Sequence, residues 1–414
     1  MVNKFFYKKG GSETYYFSLK QLLEQNGIEV IDFSMKDDKN FPSKTSEFFV
    51  ENIDYNHFES IWNSIKIGCK VIYSFEAKRK IEKLIKKEKP DIVHLHMFQH
   101  QISLSILDVF KKYNIPVVYT AHELKMICPN YLMLSNNKVC EKCRGHQYYH
   151  CLFSKCIKNS YLKSMIAMIE AYLHYFKKSY FLIDTIIVPS KFYYQKFIEF
   201  GVTKDRLHFL PNFLPNKDDK QVLSKGDYYL YFGRISLEKG LKILINAFKT
   251  FNGKLLIAGT GPMLEQYKTM VKENKQKNVV FLGHCDKERL KNIIQGSKCI
   301  IIPSEWYENC PYSAIETLEL GKPIIGANIG GIPEFIEEGK NGFIFESGNL
   351  KSLEKCLQRF EALGKKEYKT FCDYSYQLYL NYYTEERHYK EIIKIYEDLI
   401  KKNKNMNEKN KNNT

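Results

Sequence analysis

The feature that most restricts the fold is a repeated switch between two hydrophobic periods. Short apolar runs of strand type, YYLYFG, KLLIAG, VVFLG, CIIIPS, PIIGA and GFIF, succeed one another through the second half of the chain, each ending at or near glycine, proline or serine. Apolar runs without polar alternation suit strands buried on both faces, the condition of a parallel sheet covered by helices. The first half repeats the pattern. Between Arg79 and Lys89, Ile81, Leu84 and Ile85 share one helical face, and Pro90 stops that pattern before the strand-like Asp91 to Leu95. Further strand-type runs are Pro116 to Thr120, Thr185 to Val188 and Leu207 to Leu210.

Between the two alternating halves lies LPNFLPNKDDK, rich in proline, asparagine and charge, which reads as a linker. The 414 residues suffice for two cores. The expected α/β organisation is therefore a Rossmann-like domain over 1–211, a linker over 212–226 and a second Rossmann-like domain over 227–372. Amphipathic helices over 373–402 and a disordered polar tail over 403–414 complete the chain.

The net charge of +16 comes almost wholly from lysine, which favours an anionic partner such as a phosphorylated substrate or an anionic membrane surface. Outside the tail the lysines form no confined block, which speaks against a nucleic-acid surface. No apolar run reaches membrane-spanning length and the first residues carry no signal-peptide pattern, so a cytoplasmic, at most peripherally membrane-bound protein is expected. There its eleven cysteines would be thiols or metal ligands before disulfides.

Ligands of parallel sheets sit beyond the carboxyl ends of the strands, so the residues following each strand carry the information. Near the N-terminus, Lys8-Lys9-Gly10-Gly11-Ser12-Glu13 joins a strand-like start to a helical pattern, as an anion-accepting turn or as an ordinary one. FGRISLEKGL puts Arg234 and Lys239 just after a strand, where a guanidinium fork and a point charge together suit a diphosphate. AGTGP, with Gly259 and Gly261, is a second glycine turn. ENCPYSAIE follows CIIIPS. Pro311 fits the first turn of a helix, leaving Glu308 in the loop before it and Glu316 inside it. A phosphate at that helix start, with each glutamate accepting from sugar hydroxyls on one side, accounts for both acids; one capping and one surface glutamate would also satisfy the spacing.

Together, GRISLEKG, AGTGP, ENCPYSAIE and LELGKPIIGANIGGIPEFI resemble the donor-binding domain of retaining GT-B glycosyltransferases of family 4, and the likeness runs from GGSE to YTEERHYKEIIKIYEDLI. The resemblance implies two Rossmann-like domains facing across a cleft, with a C-terminal helix crossing back. It also implies transfer of a hexose or hexose derivative from a nucleotide diphosphate sugar, most simply a UDP-sugar, to a glycan or polyprenyl-linked acceptor in surface polysaccharide synthesis, with retained configuration and no catalytic metal. By the same resemblance Arg234 and Lys239 hold the diphosphate, Glu308 the donor sugar and Glu316 the ribose, and Asn309 is a further donor-binding residue. Gly10 and Gly11 lie near the phosphates, Gly259 and Gly261 belong to the donor-binding residues, His284 lies near the base, and His122 in VVYTAHE faces the transferred sugar as a catalytic residue with Glu308. The chain departs from the family at Glu123, where aspartate is common, and at Cys310 and Pro311. It also begins at Met1-Val2-Asn3, several residues short of the usual first strand, so either the start is late or the innermost strand is clipped.

Two features lie outside that pattern. Cys128, Cys140, Cys143, Cys151 and Cys156 crowd one loop, expected as an insertion over 128–156. Cys140, Cys143, Cys151 and Cys156 could form a structural zinc site, with Cys128 competing as a ligand, or could be reduced thiols packed as small hydrophobes. Next, YLKSMIAMIEAYLHYFKKSYF is a helix rich in aromatic and aliphatic residues, suited to a membrane surface, to packing on the sheet, or to both. Two other function classes remain compatible with the sequence: a non-catalytic nucleotide-sugar binder, which would not need His122, and a zinc-bearing nucleic-acid binder, which would leave ENCPYSAIE without purpose.

Overall fold

A computed structural model describes residues 1–52, 68, 70–215 and 226–412. The N-terminal domain is built on parallel strands ordered Val93–Leu95, Val117–Thr120, Thr185–Val188 and Leu207–Phe209. Single bridges extend this sheet: Val2 lies between Leu95 and Phe33, and Met35 pairs with Val50. Met1 to Lys4 thus takes an interior position, held by Val2 N–H to the His94 carbonyl at 2.9 Å and His96 N–H to the Val2 carbonyl at 2.9 Å. The C-terminal domain has a six-stranded parallel sheet ordered Gly342–Phe345, Ile324–Ala327, Cys299–Ile302, Tyr228–Phe232, Lys254–Ala258 and Val279–Gly283. The central Cys299–Ile302 is buried throughout, as its unbroken apolar run demands.

The core of the second domain continues through Tyr368, Phe371, Cys372 and Tyr379 of the helix Lys365–Tyr382. The chain therefore crosses back at Tyr383 and Thr384, where Leu214 pairs with Thr384, and not at 373 as expected. The reason is the apolar face of that helix, which lies against Tyr312–Glu319. Beyond the crossing, Ile392, Ile395 and Tyr396 pack with Tyr15, Leu19, Leu22 and Phe213, closing a core on the first domain. This last helix runs from Glu385 to Asn412, so the tail expected to be disordered over 403–414 is helical as far as Asn412. Its lysines and glutamates are good helix formers, and no glycine or proline interrupts them. Residues 216–225, most of the expected linker, lie outside the described residues.

Candidate functional site

Each site residue is positioned by a strand end or by the turn that follows it. Cys299–Ile302 delivers the chain to Glu308, and the helix Tyr312–Glu319 begins directly after Pro311, which the extended ψ of 129° makes the cap residue, one position before the first turn expected for it. Glu308 is buried, and its Oε1 accepts from Lys239 Nζ at 2.6 Å and Ser304 Oγ at 2.7 Å. Burial pushes this carboxyl up, but Lys239 and the hydrogen bonds outweigh it and hold the acid below the usual glutamate range. Glu308 is therefore an anion, paired with Lys239. Glu316 lies inside the helix, half-buried.

The glycines act by letting backbone approach backbone. A Cβ on Gly259 would lie 1.9 Å from the Gly233 carbonyl oxygen, and one on Gly261 would lie 2.1 Å from that of Ile235. Ile235 N–H donates to the Thr260 carbonyl at 2.8 Å. These glycines, expected among the donor-binding residues, sit behind the Arg234 loop and shape it, with Arg234 exposed. Gly330 and Gly331 do the same for the other loop: a Cβ on Gly330 would lie 2.5 Å from the nitrogen and oxygen of Glu308, and one on Gly331 would lie 2.0 Å from the Asn309 carbonyl oxygen. His284 is exposed just beyond Gly283, whose carbonyl accepts from Gly259 N–H at 2.7 Å.

From the first domain, Gly10 caps the helix Gly11–Gln25 with extended backbone, and a Cβ on Gly11 would lie 3.4 Å from the Tyr312 ring. The glycine turn thus meets the start of the Glu316 helix across the cleft. Lys9 stands in the same field as Arg234; burial, then Lys4, then Arg234 push its ammonium below the ordinary lysine range against the opposing pull of Glu13 and Asp37. His122 follows the strand Val117–Thr120, and its Nε2 is 3.2 Å from His96 Nδ1. Burial lowers its pKa to about 3, so it is a neutral imidazole. His96 is buried and likewise held well below the ordinary value, first by burial and then by its neighbours His94 and His122.

The link between the halves is a set of residues that spacing alone does not reveal. Asn309 Nδ2 donates to the Ala121 carbonyl at 3.0 Å, and its Oδ1 accepts from Ser190 Oγ at 2.9 Å. Asn309, expected among the donor-binding residues, has both ends of its amide engaged in bridging the domains, because the loop holding Glu308 lies directly against the one holding His122. Glu334 completes the bridge by accepting from Lys191 N–H at 2.9 Å and Phe192 N–H at 2.8 Å, capping the helix Lys191–Glu199 from the other domain. The only sequence signal for this latch is the GGIPE run itself.

The cysteine loop adjoins the cleft, with Tyr307 Oη donating to Glu141 Oε1 at 2.5 Å. Thiols of Cys128, Cys140, Cys143, Cys151 and Cys156 act on one another electrostatically, and Cys151 and Cys156 are hydrogen-bonded. The hydrogen bond from Cys151 carries the Cys156 thiol down to about 7 against its burial. Among the described residues no three His, Cys, Asp or Glu groups are arranged as a metal's ligand set, so the sulfurs converge without closing.

Comparison with known proteins assigns the family and the fold. The model of Glycosyltransferase Family 4 matches residues 9–216, and that of Glycosyl transferases group 1 matches residues 215–378. A lipopolysaccharide 1,2-N-acetylglucosaminetransferase of Salmonella typhimurium is 26% identical over 226 residues, 49% of this chain and 58% of its own. The chain spans about half the length of the curated relatives it matches. Among solved structures, sucrose-phosphate synthase of Thermosynechococcus elongatus superimposes with a TM-score of 0.70 at 17% identity, covering 96% of this chain and 95% of that one. Anabaena Alr3699/HepE in complex with UDP gives 0.61 at 14% identity, covering 96% and 99%. With both halves matched and the two-domain fold shared, the chain belongs to glycosyltransferase family 4 and has the GT-B fold.

Proposed function

We propose that the protein transfers a hexose or hexose derivative from a nucleotide diphosphate sugar, read as a UDP-sugar, to a glycan or lipid-linked acceptor, with retained anomeric configuration and no metal in the chemistry. One observation carries the reading: the hydrogen bond from Asn309 to the Ala121 carbonyl sets a buried glutamate anion and a neutral histidine on neighbouring loops of two domains. The UDP bound to the Anabaena protein and the N-acetylglucosamine transfer of the Salmonella relative point the same way.

In this reading the bond from the anomeric carbon to the diphosphate breaks, and the new charge falls among Arg234, Lys239 and the start of the Tyr312–Glu319 helix. The acceptor oxygen bonds to the anomeric carbon and its proton leaves with the nucleotide diphosphate. His122, being neutral, contributes a hydrogen bond and no charge to the sugar. Glu308 accepts from sugar hydroxyls and Glu316 from the ribose. The bridge over the cleft keeps water from the donor. The test is donor hydrolysis and transfer with a panel of UDP-, GDP- and ADP-sugars, with Glu316→Ala as the control. Turnover with a UDP-sugar and weaker nucleotide binding by the variant are expected; no turnover with any donor, or unchanged binding by Glu316→Ala, overturns the assignment.

A further inference from the structure

The helix Tyr161–Phe176 is built inside out. Its buried stripe is Ser164, Ala167, Glu170 and His174, largely polar, and every polar member has a partner. Ser164 Oγ accepts from Ile157 N–H at 3.1 Å, and Glu170 forms an ion pair with Lys125 Nζ at 2.8 Å in which both side chains are nearly fully buried. His174 pairs through Nδ1 with Ser179 Oγ at 3.0 Å and through Nε2 with the Ile72 carbonyl at 3.1 Å. The opposite stripe, at steps of three and four residues, is apolar: Leu162, Met165, Ile169 and Phe176 are 38%, 39%, 42% and 74% exposed, with Tyr172 half-buried between them. On the adjoining helix Tyr149–Phe153, Phe153 is 72% exposed. A water-facing helix of a globular domain shows the reverse arrangement.

Along this segment of the chain the charges are mainly of one sign. From Phe153 to Ser179 the chain carries Lys155, Lys158, Lys163, Lys177 and Lys178, and the single acid, Glu170, is turned inward. Lys177 Nζ lies 3.7 Å from Asp108, an exposed contact that leaves the rim cationic. A second copy of the chain would bring the same lysine ring against itself, within a net charge of +16, whereas an anionic bilayer complements it. The helix is too short to span: among the described residues no helix is long and apolar enough to cross a membrane.

We propose that the outer face of the Tyr161–Phe176 helix docks on the surface of an anionic lipid bilayer, its apolar stripe sunk at the headgroup boundary and its lysines on the lipid phosphates. The inward face ties this dock to the site, because Lys125, the partner of Glu170, lies three residues after His122. The docking stands on the helix alone; only its use, bringing a lipid-linked acceptor to His122, rests on the transferase reading.

The test is co-sedimentation of the full chain with vesicles of phosphatidylcholine, alone or with an equal part of phosphatidylglycerol, at low and high salt. Binding to the anionic vesicles about tenfold tighter than to the neutral ones, and weakened by salt, is expected. Ile169→Glu with Phe176→Glu should lower it about tenfold while leaving the melting temperature and vesicle-free donor hydrolysis unchanged, since both side chains are exposed. Lys163→Gln with Lys178→Gln should remove the preference for anionic lipid. Wild-type protein that ignores anionic vesicles, a glutamate variant that binds as wild type, or an apolar stripe covered by a second copy in light scattering each overturns the proposal. Vesicle binding without any donor turnover would overturn the transferase reading and leave the docking intact.

Discussion

Glu334 is the residue whose removal should most directly separate domain closure from domain stability. Its carboxylate accepts the first two N–H groups of the Lys191–Glu199 helix, at 2.9 and 2.8 Å, while Ser190 Oγ takes the third at 3.1 Å. Two of the three donors at that helix start are thus satisfied from the opposite domain. Hydrogen bonds to a charged group contribute about 1.5–3 kcal/mol each when buried. Here one bond is exposed and the other half-buried, and water replaces the carboxylate when the domains part, so about 1 kcal/mol for each is the appropriate figure. Glu334→Ala should then lower the closed-to-open ratio by about 2 kcal/mol, close to thirtyfold, and Glu334→Gln, which keeps one acceptor, by about half that energy. Small-angle scattering without donor should show a larger radius of gyration for the alanine variant. Its kcat/KM for donor hydrolysis should fall by an order of magnitude with the melting temperatures of the two cores unchanged. A variant with the wild-type scattering profile and kcat/KM within a factor of two would refute the latch.

Three shorter predictions follow from burial and packing. Burial lowers both His122 and His388 to about 3, with the Pro211 carbonyl partly opposing it at His388, so the unfolded chain binds these protons first as pH falls. Their contribution is full above about pH 6.5 and declines below it, by about 1.4 kcal/mol per site one pH unit lower, less at the partly exposed His122. Thermal melts should show a lower Tm at about pH 5.5 than at neutrality, with a smaller drop in His388→Gln; equal pH slopes would contradict this. Gly330→Ala, at φ +60° and with its new Cβ 2.5 Å from Glu308 backbone, should cost about 3 kcal/mol and at least tenfold in kcat/KM, and wild-type activity would contradict the packing. The converging thiols are proposed to close on zinc when it is present. Elemental analysis should find about one equivalent, lost in Cys140→Ser with Cys143→Ser, whereas equal zinc in variant and wild type would exclude these ligands.

What could be read from the sequence was local. CIIIPS ends a buried strand and Pro311 sets a helix start, so the positions of Glu308 and Glu316 relative to that helix followed from residues within one turn and loop. The latch could not be read in this way. Ser190 and Asn309 are 119 positions apart, and Glu334 reaches Lys191 across 143, so only the assembled domains make them neighbours. The glycines of AGTGP were visible as a turn, but the carbonyls that fill their missing side chains belong to another strand end. The helix Tyr161–Phe176 shows the limit most clearly. Its amphipathic spacing is plain, yet the usual inference places the apolar face inward, and the buried partners of Glu170 and His174 reverse it.

The Lys239–Glu308 pair also bears on how donor and product differ. The 2.6 Å contact joins a largely buried carboxylate to a lysine that, in the proposed transfer, the diphosphate also needs. In that reading a nucleotide diphosphate lacking its sugar draws Lys239 away and leaves Glu308 buried with Ser304. A donor that carries its sugar would offer Glu308 hydrogen bonds from sugar hydroxyls in exchange. Glu308→Gln removes the competitor: about 1–2 kcal/mol of pairing no longer opposes the phosphate, so UDP should bind roughly tenfold tighter. The same change removes the charged acceptor for the sugar, so kcat for donor hydrolysis should fall although the nucleotide binds better. Calorimetry with UDP and with a UDP-sugar, beside turnover, measures both arms. UDP affinity that falls or stays constant in Glu308→Gln would mean that Lys239 does not pass between carboxylate and phosphate. The pair would then be a structural support for the loop, and the donor's charge would rest on Arg234 and the helix start alone.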